Sequence, residues 1–193
     1  MKKLEFNPET HEYRWDGRTV SSVTQILNFI FPYFKRDNHA INLGMNVHKM
    51  TELIDRNEFD MSDPDNEFYM PYAEAWLKFK KEFKLTTEKV QIELPLYSER
   101  YGYAGTIDRF YYDKNIEIDI KTGQDNPVRY ELQMLAYCGL IKENFGKMPE
   151  MYIVFLNPDG TYRAKKVVYD SIKMRNFICL KIAYEIHVKH KGG

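Results

Sequence analysis

Apolar residues recur every three or four positions through most of residues 22–84, and from about residue 89 the period falls to two. That change divides the chain into a largely helical first part and a second part dominated by strands. The opening residues alternate and are broken by Asp16–Gly17, which predicts a β-hairpin of Glu12–Trp15 and Arg18–Val20. Ser22 then has the chemistry of an N-cap for a short helix through Ile30, closed by Pro32. A second helix is predicted over 37–55, with Leu43, Val47, Met50 and Ile54 as its apolar stripe. A third is predicted over 66–84, with Phe68, Tyr72, Ala75, Trp76, Phe79 and Phe83 on its inner side and the lysines of 78–84 on a solvated face.

The strand-like part reads as Lys89–Tyr97, Tyr103–Tyr112 and Asn115–Thr122, the last two joined at Asp113–Lys114. Asn126–Pro127 supplies a cap and a first-turn proline for a helix running to Asn144, which Gly146 ends. Two further strands, Met151–Phe155 and Tyr162–Tyr169, meet at Asn157–Gly160. Asp170 or Ser171 starts a last helix with a basic tail, His187–Lys191. The expected order is ββαααβββαββα, an α/β domain around a mixed sheet.

Composition narrows the choice of function. A chain of 193 residues with 44% apolar and 29% charged side chains supports one folded domain over 1–193, with no repeat or linker to divide it. Basic and acidic residues number 28 each, so no global positive field draws in nucleic acid. The distribution is uneven: residues 61–130 hold 10 basic and 13 acidic groups, and residues 131–193 hold 10 and 6. Any phosphate contact must therefore be local. Cys138 and Cys179 are too few for a cysteine-ligated iron–sulfur cluster and read as buried free thiols. There is no apolar run of membrane-spanning length and no secretory signal, so the expectation is a cytoplasmic protein without a membrane partner.

The chemistry concentrates in GYAGTIDRFYYDKNIEIDIKTG, residues 102–123. Alternation places Glu117, Asp119 and Lys121 on one face of a strand and three isoleucines on the other. The preceding strand brings Asp108 alongside. Two carboxylates with a lysine on neighbouring strands make a hard-oxygen site for a divalent cation with an ammonium beside it. Phosphodiester cleavage needs that combination, because the metal offsets phosphate charge and acidifies a bound water while the lysine orients or deprotonates it. An ordinary solvated strand face is the competing reading.

These residues fall into an ordered set: Gly44-Met-Asn-Val-His48, Gly105-Thr-Ile-Asp108, Asp119-Ile-Lys121 and Gln133-Met-Leu-Ala-Tyr137. The set resembles the PD-(D/E)XK nuclease superfamily, and within it the RecB-like, phage-type exonucleases. It covers about half of the chain, and the motif core extends over about 44–169. The resemblance implies a restriction-endonuclease-like core, a central mixed sheet flanked by helices, preceded by the N-terminal hairpin and helices. It implies Asp108 and Asp119 as ligands of Mg²⁺ or Mn²⁺, with the Ile120 backbone carbonyl, His48 and Glu93 completing the set and Lys121 acting on the attacking water. Glu117 is left out of the site, and Gly44 is expected to admit close approach of another backbone. Gln133 and Tyr137, four apart on one helix face, are placed beside the catalytic lysine or the substrate strand.

The implied activity is exonucleolytic hydrolysis of DNA in phage or prophage recombination or repair. A restriction-like or structure-specific endonuclease is the alternative enzyme, and a non-catalytic DNA-binding protein the alternative of another class. The partner would be a DNA single strand or duplex end in a bacterial or phage-infected cell. A homo-oligomer and a single-strand annealing protein are compatible with such a role. No nucleotide is implied, because the chain has no phosphate-binding Gly-x-x-x-x-Gly-Lys motif. DNA would approach over cations drawn from Lys35, Arg36 and Arg129, the first two following the aromatic run Phe29–Phe34.

Overall fold

A computed structural model describes residues 3–32, 38–123 and 126–191. Lys35 and Arg36 lie outside the described residues. An eight-stranded mixed sheet organises the chain. Strands β1 (Leu4–Asn7), β2 (Glu12–Trp15) and β3 (Arg18–Ser22) form an antiparallel meander, so the expected hairpin gains a first strand. Its tight turn rests on Asp16 and Gly17, both at positive φ (52° and 75°), a backbone that Gly and Asp reach more readily than most residues.

Strand β3 leads parallel into β5 (Tyr103–Tyr111) through Ser21 and Ser22. Strand β4 (Val90–Ser98) also pairs with β5, and β6 (Ile116–Lys121), β7 (Glu150–Leu156) and β8 (Tyr162–Val167) extend the sheet beyond it. The β6–β7 pair is parallel, because helix α4 (Pro127–Phe145) carries the chain across one face between them. Three of the caps read from the sequence are present. Ser22 and Gln25 form a capping box for α1 (Val23–Ile30), Asn126 caps α4, and Gly146 ends it at φ 68°. Asp170 Oδ1 accepts the Ile172 and Lys173 amides at the start of α5 (Ser171–Lys191).

Two apolar layers sandwich the sheet. Val23, Ile26 and Leu27 of α1, Leu135 and Leu140 of α4 and Phe177 of α5 fill one side. Val47 and Met50 of α2 (Asn38–Asp55) and Trp76 and Phe79 of α3 (Met70–Glu82) fill the other. Strand β6 lies between β5 and β7 and is covered on both faces, so Glu117 and Asp119 are as buried as Ile118 and Ile120. The polar face of β6 looks onto α4 rather than onto water.

Three expectations need correction. Phe68 sits in a 3-10 turn, Pro64–Tyr69, and is exposed, because the third helix begins only at Met70. Lys80 is not on a solvated face: it is buried and its Nζ lies 2.5 Å from Asp55 Oδ1. Cys138 is buried, but Cys179 is exposed on α5.

Candidate active site

The site grows from a defect in the sheet. Strands β4 and β5 pair in one register from Val90↔Tyr111 to Ser98↔Tyr103, yet the pairing skips Glu93 and Asp108, which stand opposite each other. Glu93 has φ 47° in the middle of a strand, a conformation that a non-glycine residue keeps only when its surroundings hold it there. The alternation changes face at this point. Tyr103 and Ile107 pack on the α4 side, whereas Tyr111 packs on the α3 side and Arg109 reaches Asp55 of α2. The kink turns the Glu93 and Asp108 carboxylates into a cleft.

Strand β6 parts from β5 at the same level. Their ladder runs Tyr111↔Ile116, Phe110↔Glu117 and Arg109↔Ile118 and then stops. The freed amide of Ile120 donates instead to Asp108 Oδ2 at 2.7 Å. Helix α2 supplies His48, whose Nε2 is 2.9 Å from the Ile120 carbonyl and whose Nδ1 is 3.6 Å from Asp108 Oδ2. A carbonyl can only accept, so Nε2 carries a proton, and Nδ1 is the ring nitrogen that faces the carboxylates. Ligand atoms of His48, Glu93 and Asp108 all lie within 4.8 Å of one another.

Asp119 and Lys121 complete the group. Lys121 Nζ is 2.5 Å from Asp119 Oδ2 and 5.2 Å from the centre of the Tyr130 ring. Asp119 Oδ1 is buried without a hydrogen-bond partner among the described residues. Burial works against the ammonium, but Asp119 and Asp108 outweigh it and raise the Lys121 pKa. Burial and the neighbouring Asp108 raise Asp119, with Lys121 opposing. Glu93 is pushed up to about 8, first by burial and then by Asp108, while Arg109 pulls the other way. Glu117 lies deeper on β6, with neither oxygen hydrogen-bonded among the described residues. Burial, then Asp119 and Asp108, raise its carboxyl well above the usual range.

A cleft of about 1240 Å³ opens above these residues. His48, Glu93, Asp108, Asp119, Ile120 and Lys121 all line it, as do Gln133 and Tyr137, so the predicted cluster converges. Gln133 Nε2 donates to Tyr137 Oη at 3.1 Å. Burial, then Asp119 and Asp108, lift the Tyr137 phenol well above its ordinary pKa. Arg129 also borders the cleft, but its guanidinium is buried and donates to Asn28 Oδ1 at 2.9 Å, fastening α4 to α1. No close approach of another backbone to Gly44 is found among the described residues, where a Cβ would meet only Thr122 Oγ1, at an ordinary 3.6 Å.

Sequence reasoning missed part of the wall. Pro8, His11 and Tyr13 of the N-terminal meander line the cleft, and Tyr13 Oη shares a 2.6 Å hydrogen bond with Thr106 Oγ1. Nothing in the spacing of residues 8–13 shows that a hairpin so far upstream folds back over the motif strands.

The donor set fits a divalent cation. One imidazole nitrogen, the closely grouped carboxyls of Glu93 and Asp108, and an unpartnered buried oxygen of Asp119 make up a hard-oxygen donor set. No protein-family model matches the sequence, and no curated protein matches it. The fold has solved counterparts. A structure from Eubacterium rectale, provisionally described as an exonuclease, superposes with a TM-score of 0.58 at 12% identity, covering 90% of this chain and 82% of that one. An alkaline exonuclease from Laribacter hongkongensis aligns over 88% of this chain and 78% of its own, at 15% identity and a TM-score of 0.48. The first of these likenesses establishes a shared mixed α/β fold.

Proposed function

We propose that the chain is a Mg²⁺- or Mn²⁺-dependent nuclease of the PD-(D/E)XK type that hydrolyses DNA from an end, in recombination or repair of the phage or prophage kind. The observation that carries the reading is the convergence of His48, Glu93 and Asp108 within 4.8 Å, beside the Asp119–Lys121 pair. These residues come from four separate elements, and ordinary packing gives no reason to bring them together. The fold shared with the Eubacterium rectale protein is consistent with the reading.

Asp108, Asp119, Glu93, His48 and the Ile120 carbonyl would hold the cation. When bound, it would offset phosphate charge and acidify a coordinated water. Lys121, kept protonated by Asp119 and Asp108, is a donor: it orients the attacking water and steadies the phosphoryl oxygens. Gln133 and Tyr137 line the same cleft, where they would support Lys121 or contact the substrate strand.

The test is degradation of linear and covalently closed DNA with either metal. Loss of linear DNA with the closed circle spared supports the reading, and Asp108→Asn should then abolish cleavage while DNA binding holds or improves. A cut circle would make it an endonuclease. No cleavage of any DNA in Mg²⁺ or Mn²⁺ would overturn the nuclease reading in favour of a binding protein.

A further inference from the structure

We propose that Arg109 is the positioning residue of this site, a buried guanidinium that fixes the three cation-binding elements relative to one another. The inference rests on the proposed metal site and assigns a role to a residue outside it.

Arg109 follows Asp108 on β5, points to the opposite face of the sheet and is fully buried. Each of its nitrogens has a partner. Nε donates to Asp55 Oδ2 at 2.6 Å and Nη2 to Thr51 Oγ1 at 3.0 Å, both on α2. Nη1 donates to the Asp108 carbonyl at 2.6 Å and to Glu93 Oε1 at 3.3 Å. Thr51 Oγ1 in turn donates to the His48 carbonyl at 2.8 Å. One guanidinium therefore touches β4, β5 and α2, the elements that carry Glu93, Asp108 and His48.

The contacts answer the defect at the site. Where the β4–β5 pairing skips Glu93 and Asp108, the Asp108 carbonyl takes its hydrogen bond from Arg109. Charge points the same way. Asp55 faces two buried cations, because Lys80 Nζ sits 2.5 Å from Oδ1 while Arg109 holds Oδ2, and Trp76 Nε1 adds a donor at 3.2 Å. One carboxylate balances one cation. The remaining positive charge is directed along the fork toward Glu93, whose Oε1 accepts from Nη1. A lysine could not serve, because only a planar fork spans these partners at once.

The experiment measures Mn²⁺ affinity of the full chain by electron paramagnetic resonance or calorimetry, with no DNA present. Arg109→Lys should weaken Mn²⁺ about 10–100-fold, the usual cost of losing a residue that orients ligands. Glu93→Gln should weaken it too, and the double variant should lose less than the product of the two single losses, because Arg109 holds the strand that carries Glu93. Wild-type affinity in Arg109→Lys, or losses that simply multiply in the double variant, would overturn the proposal. If Arg109→Lys does not fold, Thr51→Val removes one hydrogen bond of the fork and should weaken Mn²⁺ about 2–10-fold; unchanged affinity there overturns it equally. Failure of the wild-type chain to bind Mn²⁺ would instead strike the metal site on which the inference stands.

Discussion

Asp108 Oδ2 accepts the backbone amide of Ile120 across the gap where β5 and β6 separate, at 2.7 Å. A residue read from sequence as a ligand is therefore also a piece of the sheet, standing in for a ladder bond. The two roles separate by substitution. Asparagine keeps an oxygen that can accept from Ile120 and removes a negative charge from a crowded site, so Asp108→Asn should be as stable as wild type without metal. Alanine leaves a buried donor unpaired, at about 1–3 kcal/mol. Urea unfolding of the two variants should show that difference, and equal stabilities would mean that the bond is not holding the strands.

The raised carboxyl of Glu93 makes stability depend on pH in a definite direction. Its side chain is 37% exposed at the cleft, yet burial of the rest and the nearby Asp108 push it up to about 8 from 4.5. Between those values the folded chain keeps a proton that the unfolded chain has lost. The contribution is present in full below about 4.5, declines as pH rises, and is gone above about 8. Metal-free wild-type protein should therefore lose stability between pH 5 and pH 8.5 more steeply than Glu93→Gln, which cannot titrate there. Parallel urea midpoints in the two proteins would show that Glu93 is ionised throughout.

The chemistry was legible in the sequence to the extent that it lies in the residues themselves. Ser22, Asn126 and Gly146 are local signals and mark their helix ends in the structure. The acids and lysine of β5 and β6 could be placed on adjacent strands because a short turn joins them. Strand β1 escaped because LEFN is four residues long and gains its partner only from β2. Arg109 escaped for another reason. Strict alternation keeps residues 105, 107 and 109 on one face, and only the kink at Asp108 sends Arg109 to the other. Lys80 was hidden in a lysine run, since its neutralising partner Asp55 is 25 positions away. A single-residue pattern cannot reveal a pairing made by tertiary contact.

On the proposed function, DNA would be held by few cations. Of those lining the cleft, Lys49 is 3.1 Å from Glu52, Lys121 is paired with Asp119, and Arg129 is buried. Lys35 and Arg36, between α1 and α2 in sequence, are the adjacent pair left from the sequence-based set. Replacing both by Ala should weaken DNA binding equally for all sequences, measured in Ca²⁺ to suppress cleavage. It should also lower the slope of log K against log salt by up to about 2. An unchanged slope would place the pair away from DNA.

Two glycines in the motifs should respond oppositely to alanine. A Cβ on Gly105 would lie 2.7 Å from Tyr137 Cε1 and 3.2 Å from Val23 Cγ2, and neither neighbour has room to give, since Tyr137 is 4% exposed and Val23 fully buried. Gly105→Ala should thus cost about 1–3 kcal/mol, the range for overpacking a core. It should also displace Tyr137 and, through the 3.1 Å bond, Gln133, lowering turnover more than metal affinity. Gly44 is helical, and its Cβ would meet Thr122 Oγ1 at 3.6 Å, so Gly44→Ala should stabilise the metal-free fold by about 0.5–1 kcal/mol. Thermal unfolding of the two variants checks both signs. Destabilisation by both would mean that Gly44 does admit a close neighbour in the folded protein, and tolerance of Gly105→Ala would free Tyr137 from its place against β5.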